Sequence, residues 1–141
     1  MPCVLWVSCD QPSSDLVALL ELQPYKIIER GSVVETAQGT KKYEQTLCGF
    51  DVSRQDFTDL KPQLEEAAGW LEQHFQQLQR LQNINSTQTL DFGFYTEFAD
   101  SKIVAQYNKL PHRLLKLAGD LMVDIELSQY WYSGEQGAQL N

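Results

Sequence analysis

The segment Leu90 to Phe98, LDFGFYTEF, sets a large apolar group at Leu90, Phe92, Phe94 and Phe98 and interleaves Asp91, Tyr95 and Glu97. Alternation of this kind predicts a half-buried strand with one apolar face and one polar, acidic face. Cys3 to Cys9 is apolar at both parities, which predicts a central strand. Tyr25 to Arg30 reads as a further strand closed by Gly31, and a polar loop around Gly39 leads to another from Tyr43 to Ser53. There Thr46, Cys48, Phe50 and Val52 share one face, while Tyr43, Gln45, Leu47 and Gly49 share the other. The last strand, Met122 to Trp131, places Val123, Ile125 and Leu127 inward and Asp124, Glu126, Ser128 and Tyr130 outward.

Helical spacing separates these strands. Ser13 or Ser14 caps a short helix from Asp15 to Leu22, which Pro24 ends. Leu64, Ala67, Ala68, Leu71, Phe75, Leu78 and Leu81 recur at three- and four-residue steps and predict one long helix, with Asp59 and Pro62 at its start. Asn83 to Thr89 reads as a polar turn and Ala99 to Leu110 as an irregular connection. A short helix from Pro111 to Ala118 follows, with Gly119 as its C-cap. The order β-α-β-β-α-β-α-β predicts an α+β fold: a mainly antiparallel sheet with helices on one face, built on a ferredoxin-like β-α-β-β-α-β core plus an appended helix and strand. Residues 1–132 are expected to form a single domain and 133–141 a flexible tail.

If Phe50, Phe92, Phe94 and Val123 meet the helices, the pleat sends Tyr43, Leu47, Tyr95 and Tyr130 to the opposite face. The first strand adds either Trp6 or the pair Leu5 and Val7. Glu97, Asp124 and Glu126 rim this aromatic band, which exceeds the scattered apolar surface of a monomer and is expected to be covered by a homodimer or a protein partner.

Composition narrows the classes of function. Nineteen acidic against eleven basic residues give a charge of −8, which opposes attraction to phosphate backbones and anionic lipids, so neither nucleic acid nor membrane is expected as a partner. No apolar run approaches the roughly 20 residues of a membrane helix, and MPCVLWVSCD lacks the pattern of an export signal, so a cytoplasmic protein is expected. The three cysteines form no framework: Cys3 and Cys9 lie roughly 20 Å apart along one strand at about 3.3 Å per residue, and all three read as reduced core thiols.

The opening strand and short helix, Leu22 with Pro24, the Arg30-Gly31 turn, the strand near Gly49-Phe50 and the ending LLKLAGDLMVDIELSQY together resemble the uncharacterised bacterial family catalogued as domain of unknown function 4279. The resemblance spans roughly Val4 to Tyr130. Phe50 stands where that pattern has tryptophan. The resemblance implies the fold, and the small accessory or immunity-type proteins among such relatives suggest a binding role.

Residues able to carry chemistry are few. His74 falls on the apolar side of the long helix and reads as mostly buried packing, and His112 lies in the first turn of the last helix. No spaced set of ligands suggests a metal, no glycine-rich loop suggests a phosphate site, and no cofactor is expected. Asp124 and Glu126, or Asp91 and Glu97, share a strand face as an acid pair would, but a solvated outer sheet face explains them more simply. Lys109, His112, Arg113 and Lys116 form a candidate anion patch. The leading expectation is a non-enzymatic binding or assembly module, inhibitor or immunity-type, acting through Trp6, Tyr43, Leu47, Tyr95, Glu97, Asp124, Glu126 and Tyr130. The alternative is a small-molecule binding domain or weak hydrolase with a pocket near His112.

Overall fold

The structure, a computed structural model, describes residues 2–96, 102 and 105–131. Its strands are β1 (Cys3–Cys9), β2 (Lys26–Ile28), β3 (Val33–Thr36), β4 (Gly39–Lys42), β5 (Thr46–Asp51), β6 (Ser86–Tyr95) and β7 (Val123–Tyr130). Its helices are α1 (Ser13–Leu20), α2 (Leu60–Gln73), α3 (Phe75–Gln79) and α4 (His112–Asp120), with a 3-10 turn at Arg80–Asn83. Five strands form one sheet in the order β2-β5-β1-β6-β7, and β3 and β4 form a separate hairpin. The β2–β5, β5–β1 and β1–β6 pairs are antiparallel, and β6–β7 is parallel. The chain is thus an α+β protein with a mainly antiparallel sheet and four helices among the described residues.

β1 lies mid-sheet because it is apolar at both parities. Leu5 sits between Phe50 and Leu90, Val7 between Cys48 and Gln88, and Cys3 beside Phe92. The apolar side chains among these form one core cluster with Leu16 and Leu20 of α1, Leu64, Ala67 and Leu71 of α2, and Leu114 and Ala118 of α4. The parity left open for β1 is thereby fixed: Leu5 and Val7 meet the helices, and Trp6 faces the other way. On β7, Val123 is buried but Leu127 is 41% exposed, although it shares their face. The nine-residue α4 spans only about 13 Å, half the length of the eight-residue strand beside it, so helical cover runs out before Leu127.

Several expectations are corrected. The span read as a polar loop around Gly39 is the β3–β4 hairpin, closed by the Gly31 N–H donating to Tyr43 O and the Tyr43 N–H to Ser32 O. Tyr43 therefore belongs to the hairpin base and not to β5, which starts at Thr46. The single long helix is broken at His74, whose φ of −105° and ψ of 17° end α2. His74 is half-buried rather than mostly buried, with its ring 4.8 Å from Trp70 and its Nδ1 3.2 Å from Gln77 Oε1. Past the break, Gln77 Nε2 donates to Leu20 O and Arg80 Nη1 to Leu19 O, meeting carbonyls that the end of α1 would leave orphaned. Gly119 lies inside α4, and the turn into β7 is made by Met122 at φ 59°. β6 begins at Ser86, not Leu90; Phe98 and the tail at 133–141 lie outside the described residues.

Candidate functional site

The sheet face opposite the helices gathers most of the expected site residues. Strand register sets Asp51, Val4, Asp91 and Glu126 in one row across β5, β1, β6 and β7. The adjacent row holds Lys26, Gly49, Trp6, Thr89 and Asp124. Further along β6, Gly93 faces Ser128 and Tyr95 faces Tyr130. Rows on one face repeat every second residue, about 7 Å apart, so three carboxylates of one row and Asp124 of the next lie close together.

Aromatic side chains bound this acidic row on both sides, each seated on a glycine. The Trp6 ring lies over Gly49, where an added Cβ would meet Cζ3 at 2.6 Å, and Tyr25 packs beside it with ring centroids 6.1 Å apart. On the other side Phe57 and Tyr130 lie over Gly93, where a Cβ would meet Phe57 Cε1 at 2.8 Å. Phe57 is 5.7 Å from the Tyr95 ring and 5.8 Å from that of Tyr130, and its carbonyl accepts the Tyr95 N–H at 2.9 Å. Absence of a side chain at Gly49 and Gly93 is what lets the rings approach the backbone so closely.

Between the clusters, Asp91 accepts the Ser128 hydroxyl at 2.6 Å, which fixes one carboxylate in the row. Burial raises the pKa of the Tyr25 phenol, and the neighbouring Asp51 and Asp91 charges raise it further, so it stays a neutral hydrogen-bonding group at the edge of the row. The face thus presents negative charge between amphipathic rings and carries no histidine. Such an arrangement can attract cations by charge and hold them against aromatic faces.

Leu47, Tyr95, Asp124, Glu126 and Tyr130 all reach this face, as their parity predicts, and Trp6 is the β1 residue that joins them. Tyr43 stands at the hairpin base rather than on β5, and Glu97 lies outside the described residues. Sequence reasoning missed Asp51, Tyr25 and Phe57. Asp51 was legible, because it shares the parity of Leu47 and Gly49. Phe57 was not, because it reaches the face from a loop that has no period.

The other candidates are not assembled. Cys3, Cys9 and Cys48 are buried free thiols on the helix side of the sheet. Burial raises all three pKa values, that of Cys48 to about 11, and the Asp91 and Asp51 carboxylates add to the effect on Cys3. Protonated thiols of this kind are poor nucleophiles. In the anion patch, Arg113 pairs with Glu72 and Lys116 with Asp120 at 2.9 Å. Lys109 borders a recess of about 500 Å³ between residues 58–65 and 106–111, with Leu60, Leu64 and Phe94 among its lining. His112 is exposed and does not line it. Among the described residues no group of three or more His, Cys, Asp or Glu is arranged to hold a metal, and no helix is long and apolar enough to cross a membrane.

Comparison of the chain with protein-family models, curated proteins and solved structures finds no match. The face has to be interpreted from its own chemistry.

Proposed function

We propose that this protein is a non-enzymatic binding module whose open sheet face docks a cationic protein surface, in the manner of an inhibitor or immunity-type protein. The observation that carries the reading is the row Asp51–Val4–Asp91–Glu126 held between the Trp6–Tyr25 and Phe57–Tyr95–Tyr130 clusters. Lysine or arginine side chains of a partner would enter the row, with their aliphatic stems and guanidinium planes against the rings. Electrostatic steering by a chain of charge −8 would speed the encounter with a basic partner. The architecture is read as a ferredoxin-like core of β1, β2, β5 and β6 with α4 and β7 appended, and the resemblance drawn from the sequence to the bacterial family is offered on the same footing.

Capture from extract of the native cell tests the reading with three forms of the full chain. Wild type is expected to retain a stoichiometric partner that elutes with salt. Asp51→Asn combined with Glu126→Gln is expected to lose it, whereas Arg113→Ala combined with Lys116→Ala keeps it. Retention by the open-face variant, or loss only in the α4 variant, would overturn the proposal. The recess beside Leu60 and Phe94 supports the small-molecule reading only if a ligand is shown to occupy it, and its lining lacks the histidine that a hydrolase reading requires.

A further inference from the structure

The β3–β4 hairpin is the feature that the binding face leaves unexplained. Every residue of both strands is exposed, including Val33 at 62% and Val34 at 40%, and among the described residues the hairpin joins no larger sheet. A two-stranded hairpin is marginal alone in water. This one is held by its base, where Gly31 and Tyr43 pair, and by local bonds from Thr36 to Gly39 O and from Thr40 to Glu35. Lys41 lies 4.6 Å over the Tyr43 ring, and Val33 faces Lys42 across the ladder.

Charge is segregated between this arm and the rest of the chain. From Arg30 to Tyr43 there are three cations, Arg30, Lys41 and Lys42, and one acid, Glu35. That span carries +2, so with a total of −8 the remainder carries −10. The arm springs from between β2 and β5 at one edge of the sheet, while Asp124 and Glu126 occupy β7 at the other. Four strand intervals, about 19 Å, separate the two edges. Hence the arm of a chain is poorly placed to reach its own β7 and well placed to reach that of a neighbour.

We infer that the hairpin of one copy docks on the acidic, aromatic face of a second copy near β7 through the hairpin face that carries Val34 and Lys41, with Lys41 entering the carboxylate row and Val34 against the rings. This deepens the binding-face reading and rests on it, naming a second copy of the chain as a cationic occupant. Charge complementarity decides the mode. A two-fold dimer through the open face would set Asp51, Asp91, Asp124 and Glu126 against their own copies, whereas a head-to-tail contact sets cations against acids. The overall −8 opposes association at long range, but salt near physiological strength screens it beyond about 8 Å and leaves the contact pairs. A contact of this type does not close on itself, so it builds a concentration-dependent series of oligomers.

Two half-blocked variants of the full chain test it. Lys41→Ser with Lys42→Ser removes the arm's charge, and Asp124→Asn with Glu126→Gln removes that of the β7 edge. Sedimentation velocity of the wild type is expected to show growth beyond dimer with concentration. Each variant alone should weaken association by about ten-fold or more. An equimolar mixture should give a 1:1 heterodimer and nothing larger, because one good arm meets one good face. A wild type that stays monomeric up to millimolar concentration, with no heterodimer in the mixture, would overturn the inference. So would a wild-type dimer that neither variant changes, because that result assigns association to another surface. Either failure, combined with salt-eluted capture of a different protein lost in Asp51→Asn with Glu126→Gln, would leave the binding-face reading standing.

Discussion

Gly49 and Gly93 give the open face its shape, because each supports a ring where any side chain would displace it. In Gly49→Ala the new methyl would lie 2.6 Å from Trp6 Cζ3, and Tyr25 packs beside that ring. Trp6 must therefore tilt out. Overpacking of this order costs about 1–3 kcal/mol, so urea denaturation should show a loss in that range, accompanied by a changed near-UV circular dichroism signal from the displaced indole. The thiols give a second prediction at this scale. Burial raises the pKa of Cys3, Cys9 and Cys48, with Cys48 at about 11. A disulfide reagent should accordingly modify the native protein slowly at pH 8 and titrate three thiols per chain once urea is added. Fast native labelling of any of them would contradict the buried placement.

At the scale of elements, what was legible in the sequence depended on whether burial imposes a period. β5, β6 and β7 each pack one face against helices, so their parity could be read, and Leu47, Asp124 and Glu126 fell where alternation puts them, whereas β1, apolar at both parities, left Trp6 and the pair Leu5 and Val7 as alternatives. The β3–β4 hairpin has no buried face, and Val33–Thr36 and Gly39–Lys42 therefore show no alternation to detect. The break at His74 was hidden for the opposite reason. Leu71 and Leu78 stay buried on either side of it, so the apolar spacing continues through a change of direction imposed by contacts of Gln77 and Arg80 with α1. Met122 marks another point that periodicity does not see: the α4–β7 turn needs a positive φ, here 59°, and the chain supplies a β-carbon that the conformation disfavours. Left-handed backbone costs an L-residue about 1–2 kcal/mol, and glycine returns about 0.5–1 kcal/mol of that through its freer unfolded chain. Because Met122 is 71% exposed, little packing is lost on replacement. Met122→Gly is expected to stabilise the protein by about 0.5–1 kcal/mol, read as a higher urea midpoint with an unchanged slope.

For the molecule as a whole, the same charges that would bind a cationic partner work against the fold when no partner is present. Asp91 on β6 lies directly opposite Glu126 on β7, and Val4 alone separates Asp91 from Asp51 along the row. Like charges directly opposite in a sheet are destabilising, by about 0.2–1 kcal/mol for a cross-strand pair. The Ser128 hydroxyl donates to Asp91, while Glu126, exposed on the edge strand, has no such donor among the described residues. Glu126→Gln is therefore expected to raise stability by a few tenths of a kcal/mol at low ionic strength, with the gain shrinking as salt is added because the removed repulsion is screened. A residue kept for packing would show the reverse, a loss that salt leaves unchanged. If Glu126→Gln stabilises the isolated chain and weakens capture of a cationic partner in the same preparation, the carboxylate is retained at a cost to folding, which is the signature of a binding surface and not of a solvated sheet face.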